Sequence, residues 1–182
     1  MQPAKYRISL IITICLELIL SGCSSSGQTN NQPVTDNDPP QETDTVIQWD
    51  EISEDGIDEE KLINSIDEVT LRTVAEKLQD VCDKVNEKGE IDKYYWLTGQ
   101  WYSNIVDSSE YSEVVALGNK AMKPLLLIIY KSPEAGMYEW TCSKALEEIS
   151  GFDFSNENNG VGWRNSKEFL KMFINRIIEQ KA

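Results

Sequence analysis

The sequence predicts an all-α fold: an irregular helical bundle over residues 46–182, preceded by a leader at 1–22 and a disordered tether at 23–45. Three observations carry this. From Val46 onward apolar residues recur at i, i+3, i+4 and i+7, the spacing of one helix face, and short breakers separate the stripes. Residues 24–45 hold Ser, Thr, Asn, Gln, Asp and Pro with almost nothing apolar, too little to offset the entropy of ordering. Residues 1–22 have a basic start and a short apolar run.

In the leader, Lys5 and Arg7 precede the run Ile8 to Leu20, which Ser9, Thr13 and Glu17 interrupt. The run is shorter than the roughly 20 residues of a transmembrane helix, so it reads as a secretory signal peptide. Glu17 departs from that pattern, because a charge in an apolar run is costly to insert. The run ends Leu20-Ser21-Gly22-Cys23. This resembles the lipobox of bacterial lipoproteins: an apolar residue, two small residues and an obligatory cysteine. The resemblance implies that the Cys23 thiol receives a diacylglyceryl group with palmitate-type acyl chains, and that cleavage between Gly22 and Cys23 leaves Cys23 as the first mature residue. Two or more acyl chains anchor a protein stably where one gives marginal binding. The implied location is the extracytoplasmic face of a cell membrane. A flexible tether of about 22 residues spans roughly 25 Å and lets the domain stand off from the bilayer.

The first helix of the domain is expected from Ile57 to Ile66, with Asp58 as its N-cap and Leu62, Ile63 and Ile66 apolar. A stronger helix follows, capped by Thr70, with Leu71, Val74, Ala75, Leu78, Val81, Cys82 and Val85 on one face and Gly89 as its stop. Its charged face carries Glu76, Lys77, Asp80, Asp83 and Lys84. Next come five aromatics in residues 94–102: Tyr94, Tyr95, Trp96, Trp101 and Tyr102. Large aromatics ordinarily form core; the other reading is an exposed platform, joined by Trp140, for a sugar or peptide.

Ser109 is expected to cap a short helix with Tyr111, Val114, Val115 and Leu117 apolar and Gly118 as stop. A helix through Ala121, Met122, Leu125, Leu126, Ile128 and Ile129 follows, with Pro124 in its opening turns. It is the most apolar stretch of the domain, which predicts a central helix with neighbours on more than one side. Ser132-Pro133 reads as N-cap and N1 of a third helix, with Tyr138, Cys142, Ala145, Leu146 and Ile149 apolar and Gly151 as stop. The pattern Leu117-Gly118-x-x-Ala121-x-x-Pro124-Leu125-Leu126, and the run Ala145-Leu146-x-x-Ile149-x-Gly151, resemble HEAT-type helical repeats. That resemblance implies antiparallel helix hairpins and a face for protein contact. It covers about two units where such repeats need about three to bury a continuous core, so a bundle with HEAT-like hairpins is expected rather than a solenoid.

Residues 151–164 form a Gly- and Asn-rich loop whose acids fail the calcium-loop spacing, with Asn158 where Gly is required and Arg164 where a bidentate Glu belongs. Asn165 and Glu168 make a capping-box start for the last helix, whose apolar side is Phe169, Leu170, Phe173, Ile174, Ile177 and Ile178. Trp163 precedes the cap and can fold back on that helix.

Composition narrows function. The chain carries 17 Lys+Arg against 31 Asp+Glu, a formal charge of -14, and no His. Nucleic acid and anionic lipid surfaces would repel it. Without His the commonest general base and metal ligand is missing, and no phosphate loop, dinucleotide fingerprint, nucleophile elbow or zinc-spaced Cys pair occurs. No cofactor, metal or catalytic residue is implied. Cys82 and Cys142 lie on apolar stripes and read as reduced core thiols, with a disulfide as the alternative. Glu139, Glu147 and Glu148 read as a solvated helix face. The leading expectation is a membrane-anchored interaction module with a protein partner in the envelope. The alternative is a lipoprotein that captures a sugar or peptide on its aromatic cluster, and a small enzyme comes last.

Overall fold

A computed structural model describes residues 47–182, and the leader, the lipobox cysteine and the tether lie outside these residues. The described chain is an all-α bundle with one short hairpin. The hairpin, β1 (Ile52–Ser53) and β2 (Gly56–Ile57), is antiparallel with Ile52 opposite Ile57. It was not expected from the sequence: two residues per strand leave no alternation to read. Trp49 and Ile52 carry it into the core, where the Trp49 ring meets Phe173 at 5.4 Å.

Helix α1 (Glu59–Asn64) starts at Asp58, whose carboxylate accepts the Lys61 N–H, and it buries Leu62. Helix α2 (Glu68–Ile91) differs from expectation at both ends. Its cap is Asp67 rather than Thr70, because the Asp67 carboxylate accepts both the backbone N–H and the hydroxyl of Thr70. At the far end Gly89 does not stop the helix. It lies inside it, and Asp92 is the C-cap. The seven expected apolar positions, Leu71 to Val85, are all buried.

After a 3-10 turn (Tyr95–Leu97) and a left-handed Gly99 (φ 72°) come α3 (Gln100–Val106) and α4 (Ser109–Ala116). The cap of α4 is Ser108, one residue before the expected Ser109. Gly118 (φ 54°) separates α4 from α5 (Asn119–Lys131). Helix α5 buries every residue from Pro124 to Ile129 and packs on α1, α2, α6 and α8, which makes it the central helix. Helix α4 packs on α2, α3 and α6, while α5 makes its most extensive pairing with α6.

Helix α6 runs Met137–Ser150 and starts at Gly136, not at Ser132. Ser132 is instead the buried C-cap of α5. Its hydroxyl donates to Glu139 at 2.7 Å, and the other oxygen of that carboxylate accepts the Gly136 N–H at 2.9 Å. Glu139 is therefore a buried turn clamp rather than part of a solvated face, with 6% of its surface exposed. Lys167 closes the same corner by donating to the carbonyls of Ile129 and Ser132. Burial lowers the Lys167 pKa against the opposing pull of Glu139.

The single turn α7 (Glu157–Gly160) holds Asn158 and Asn159 at left-handed angles, which asparagine tolerates best after glycine. Helix α8 (Ser166–Lys181) starts at Asn165, whose side chain accepts the N–H groups of Lys167 and Glu168. Glu168 reaches back to the Arg164 N–H rather than to Asn165, so half of a capping box is formed. Helix α8 buries Phe169, Phe173 and Ile177, and Trp163 folds back on it with its ring 5.2 Å from Phe169. Lys181 donates to the carbonyls of Trp49 and Ile52 and so ties the last helix to the hairpin.

Candidate functional site

The aromatic segment divides between core and surface. Asp92 ends α2 and its carboxylate accepts the Tyr94 N–H at 2.9 Å, which turns the chain. Tyr95 then points inward and is 3% exposed. Its hydroxyl accepts from the Asn104 amide at 2.8 Å, and Lys88 donates to the same amide oxygen at 2.7 Å. Trp96 packs edge-on against Tyr95 at 5.4 Å and lies over Gly89 of α2. Around these anchored rings the rest is open: Ile91 is 89% exposed, Leu97 81% and Tyr94 59%. Lys93 sits 5.1 Å above the Tyr94 ring. Ile91, Tyr94, Trp96 and Leu97 thus form an apolar pole at the C-terminal end of α2.

This pole is the far end of the domain's longest helix. At 1.5 Å per residue, α2 is about 36 Å long. Its other end carries Asp67 and Thr70, which line a cleft with Ile47, the first described residue. The chain therefore enters at one end of α2 and presents apolar side chains at the other.

Trp101, Tyr102 and Trp140 go elsewhere. Trp101 and Trp140 meet edge-on at 5.1 Å, Tyr102 meets Trp140 at 5.6 Å, and Trp163 lies 5.8 Å beyond Trp140. Tyr102 also lines an open cleft of about 650 Å³ with Lys144, Glu147, Glu148, Phe152, Asp153 and Trp163. Of the six aromatics singled out in the sequence, Tyr102 lines this cleft; Tyr94 and Trp96 stand on the pole, Tyr95 is core, and Trp101 and Trp140 are half-buried. Sequence reasoning missed Phe152 as a cleft wall, since a lone Phe in a Gly- and Asn-rich loop carries no periodicity.

The acids of the cleft are engaged. Glu147 pairs with Lys144 at 2.9 Å and accepts the Trp163 indole N–H at 3.1 Å. It too departs from a freely solvated face. Glu148 accepts the Tyr111 hydroxyl at 2.9 Å, and burial together with that carboxylate drives the phenol pKa well up. Hydrogen bonds from Ser155 hold Asp153 below the usual carboxylate range. These contacts brace α6 against α4 and the 151–163 loop.

The two thiols are buried at the α2–α6 contact. Cys82 lies 3.6 Å from the Thr141 hydroxyl, and burial pushes its pKa up to about 12. Burial also raises the Cys142 pKa. Neither thiol has the lowered pKa or exposure of a reactive cysteine. Among the described residues no group of three or more Cys, Asp or Glu is placed to hold a metal ion. Among them, too, no helix is long and apolar enough to cross a membrane.

The fold and these surfaces define a class: a small acidic all-α domain with an aromatic pole and an aromatic-walled cleft. Comparison with protein-family models, with curated proteins and with solved structures finds no match.

Proposed function

We propose that this chain is a lipid-anchored, extracytoplasmic interaction module, held to a membrane through Cys23 and docking a protein partner at the pole formed by Ile91, Tyr94, Trp96 and Leu97. One observation carries the reading: Ile91, Tyr94 and Leu97 are largely exposed on a segment that buried Tyr95, and Trp96 packed over Gly89, anchor to α2. Scattered apolar residues on a surface need no explanation, but four exposed within residues 91–97 at one end of a helix suggest a contact site. Trp and Tyr are enriched in interface hot spots, and a contact surface ordered in advance loses less entropy on binding.

Photocrosslinking in cells tests it. A benzophenone amino acid replaces Leu97 in the full chain, and Val69, 72% exposed at the other end of α2, is the control position. A discrete protein adduct at Leu97 and none at Val69 is expected. The same adduct pattern at both positions would overturn the reading.

A second reading places a ligand in the cleft. Its support is the wall of four rings, Tyr102, Phe152, Phe154 and Trp163, with Lys144, Glu147 and Asp153 among them, a mixture that suits a sugar or a short peptide. A glycan and peptide screen that compares the wild-type chain with Tyr102→Ala decides it.

A further inference from the structure

We propose that the partner docked at this pole presents an apolar centre flanked by lysine or arginine, and that it also occupies the groove beside the pole. The inference rests on the interaction-module reading and adds the chemistry of the partner. The groove measures about 510 Å³ and runs between the last turns of α2 and the α3–α4 connection. Ile91 lines it and belongs also to the pole, so the two adjoin there, while Val81 and Val85 form a floor that is almost wholly buried.

The charges around this surface are unequal. Lys84 and Glu110 also line the groove, but they pair with each other and cancel. That leaves Glu87, Glu90, Asp92 and Asp107 against Lys88 and Lys93. Lys88 donates to the neutral Asn104 amide and Lys93 lies over the Tyr94 ring, so both keep their charge and the balance is four acids against two lysines. Among the described residues Glu87, Glu90 and Asp107 have no ion-pair partner. The C-terminal end of α2 adds the partial negative charge of its unpaired carbonyls.

The result is an apolar centre with an acidic rim, and complementarity asks the reverse of the partner. Such a rim steers and selects the partner, while the apolar centre supplies most of the contact. An anionic bilayer satisfies the apolar part of the surface and is repelled by the rim. An acidic or neutral segment leaves Glu87 and Asp107 without compensation.

The test again places the benzophenone amino acid at Leu97 in the full chain, in cells, and sequences the crosslinked peptide. The expected result is a protein adduct whose crosslinked segment carries Lys or Arg on both sides of an apolar run. Its yield should fall at least fivefold in Glu87→Lys/Asp107→Lys. Both residues are exposed, so the double variant keeps its fold, and its far-ultraviolet circular dichroism should be unchanged. A protein adduct with neutral or acidic flanks, or a yield indifferent to the double reversal, overturns the basic-partner proposal while the module reading stands. Adducts to lipid alone, or the same adducts as at Val69, overturn both.

Discussion

The Trp96 indole lies against the α2 backbone at Gly89, so close that a side-chain carbon built on that glycine would stand 2.5 Å from the indole nitrogen. A glycine inside a helix costs about 0.5–1 kcal/mol relative to alanine, and here that cost permits the approach of the ring. The first prediction follows from the pair. Gly89→Ala should destabilise the protein or displace Trp96 when Trp96 is present. In a Trp96→Ala background the same change should stabilise by about 0.5–1 kcal/mol. Urea denaturation of the four proteins of this cycle measures the coupling. Equal effects of Gly89→Ala in both backgrounds would show that the two residues do not interact.

The second prediction concerns the central helix. Leu126 is fully buried in α5. Leu126→Ala should cost about 2–5 kcal/mol through lost burial and the cavity left behind. Lys131 ends the same helix and pairs with Glu59 at 2.8 Å across a partly exposed surface. Lys131→Ala should cost no more than about 1 kcal/mol. Chemical denaturation compares them, and a Leu126→Ala cost no larger than that of Lys131→Ala would remove α5 from the centre of the fold.

Glu139 supplies the third. Its carboxylate holds the Ser132 hydroxyl and the Gly136 N–H at the α5–α6 corner. Glu139→Ala leaves both donors unsatisfied, at about 1–3 kcal/mol for each that stays buried. Glu139→Gln keeps one acceptor and should recover part of the loss. Denaturation midpoints of the two variants check the order, and an Ala variant as stable as wild type would contradict the clamp.

How far the sequence was legible can be judged at these positions. The stripes of α2 and α8 were readable because each buries one apolar face, and α5 because an unbroken apolar run marks a helix buried on several sides. The helix ends were less so. Asp67 lies three residues before Thr70, and Ser108 directly before Ser109, so more than one polar residue could cap and local geometry chose between them. Ser132-Pro133 looked like a helix start, but the hydroxyl found the Glu139 carboxylate seven residues on, and α6 began later. Gly89 looked like a stop because its reason for being glycine, the Trp96 ring, is a tertiary contact. For the same cause the aromatic segment could not be divided in advance: the Tyr95 hydroxyl meets the Asn104 amide, which Lys88 holds from its other end, and no spacing rule encodes that.

The fourth prediction concerns the thiols. Native protein at pH 8 should not react with a thiol reagent at Cys82 or Cys142, and both should react once it is unfolded. The Cys82 pKa is raised in the fold, so its contribution to stability is intact below the ordinary thiol range. That contribution is lost as pH rises from about 9 toward 12. Fast labelling of Cys82 in folded protein at pH 8 would contradict its burial.

The last prediction addresses the proposed lipid anchor. The motif Leu20-Ser21-Gly22-Cys23 implies that Cys23 carries the lipid. Cells expressing the full chain are grown with labelled palmitate, beside cells expressing Cys23→Ala. The wild-type chain should incorporate label and fractionate with membranes, and the variant should carry none. Equal palmitate in the two chains would contradict the account, because the lipid would then sit elsewhere or the chain would be held by other means.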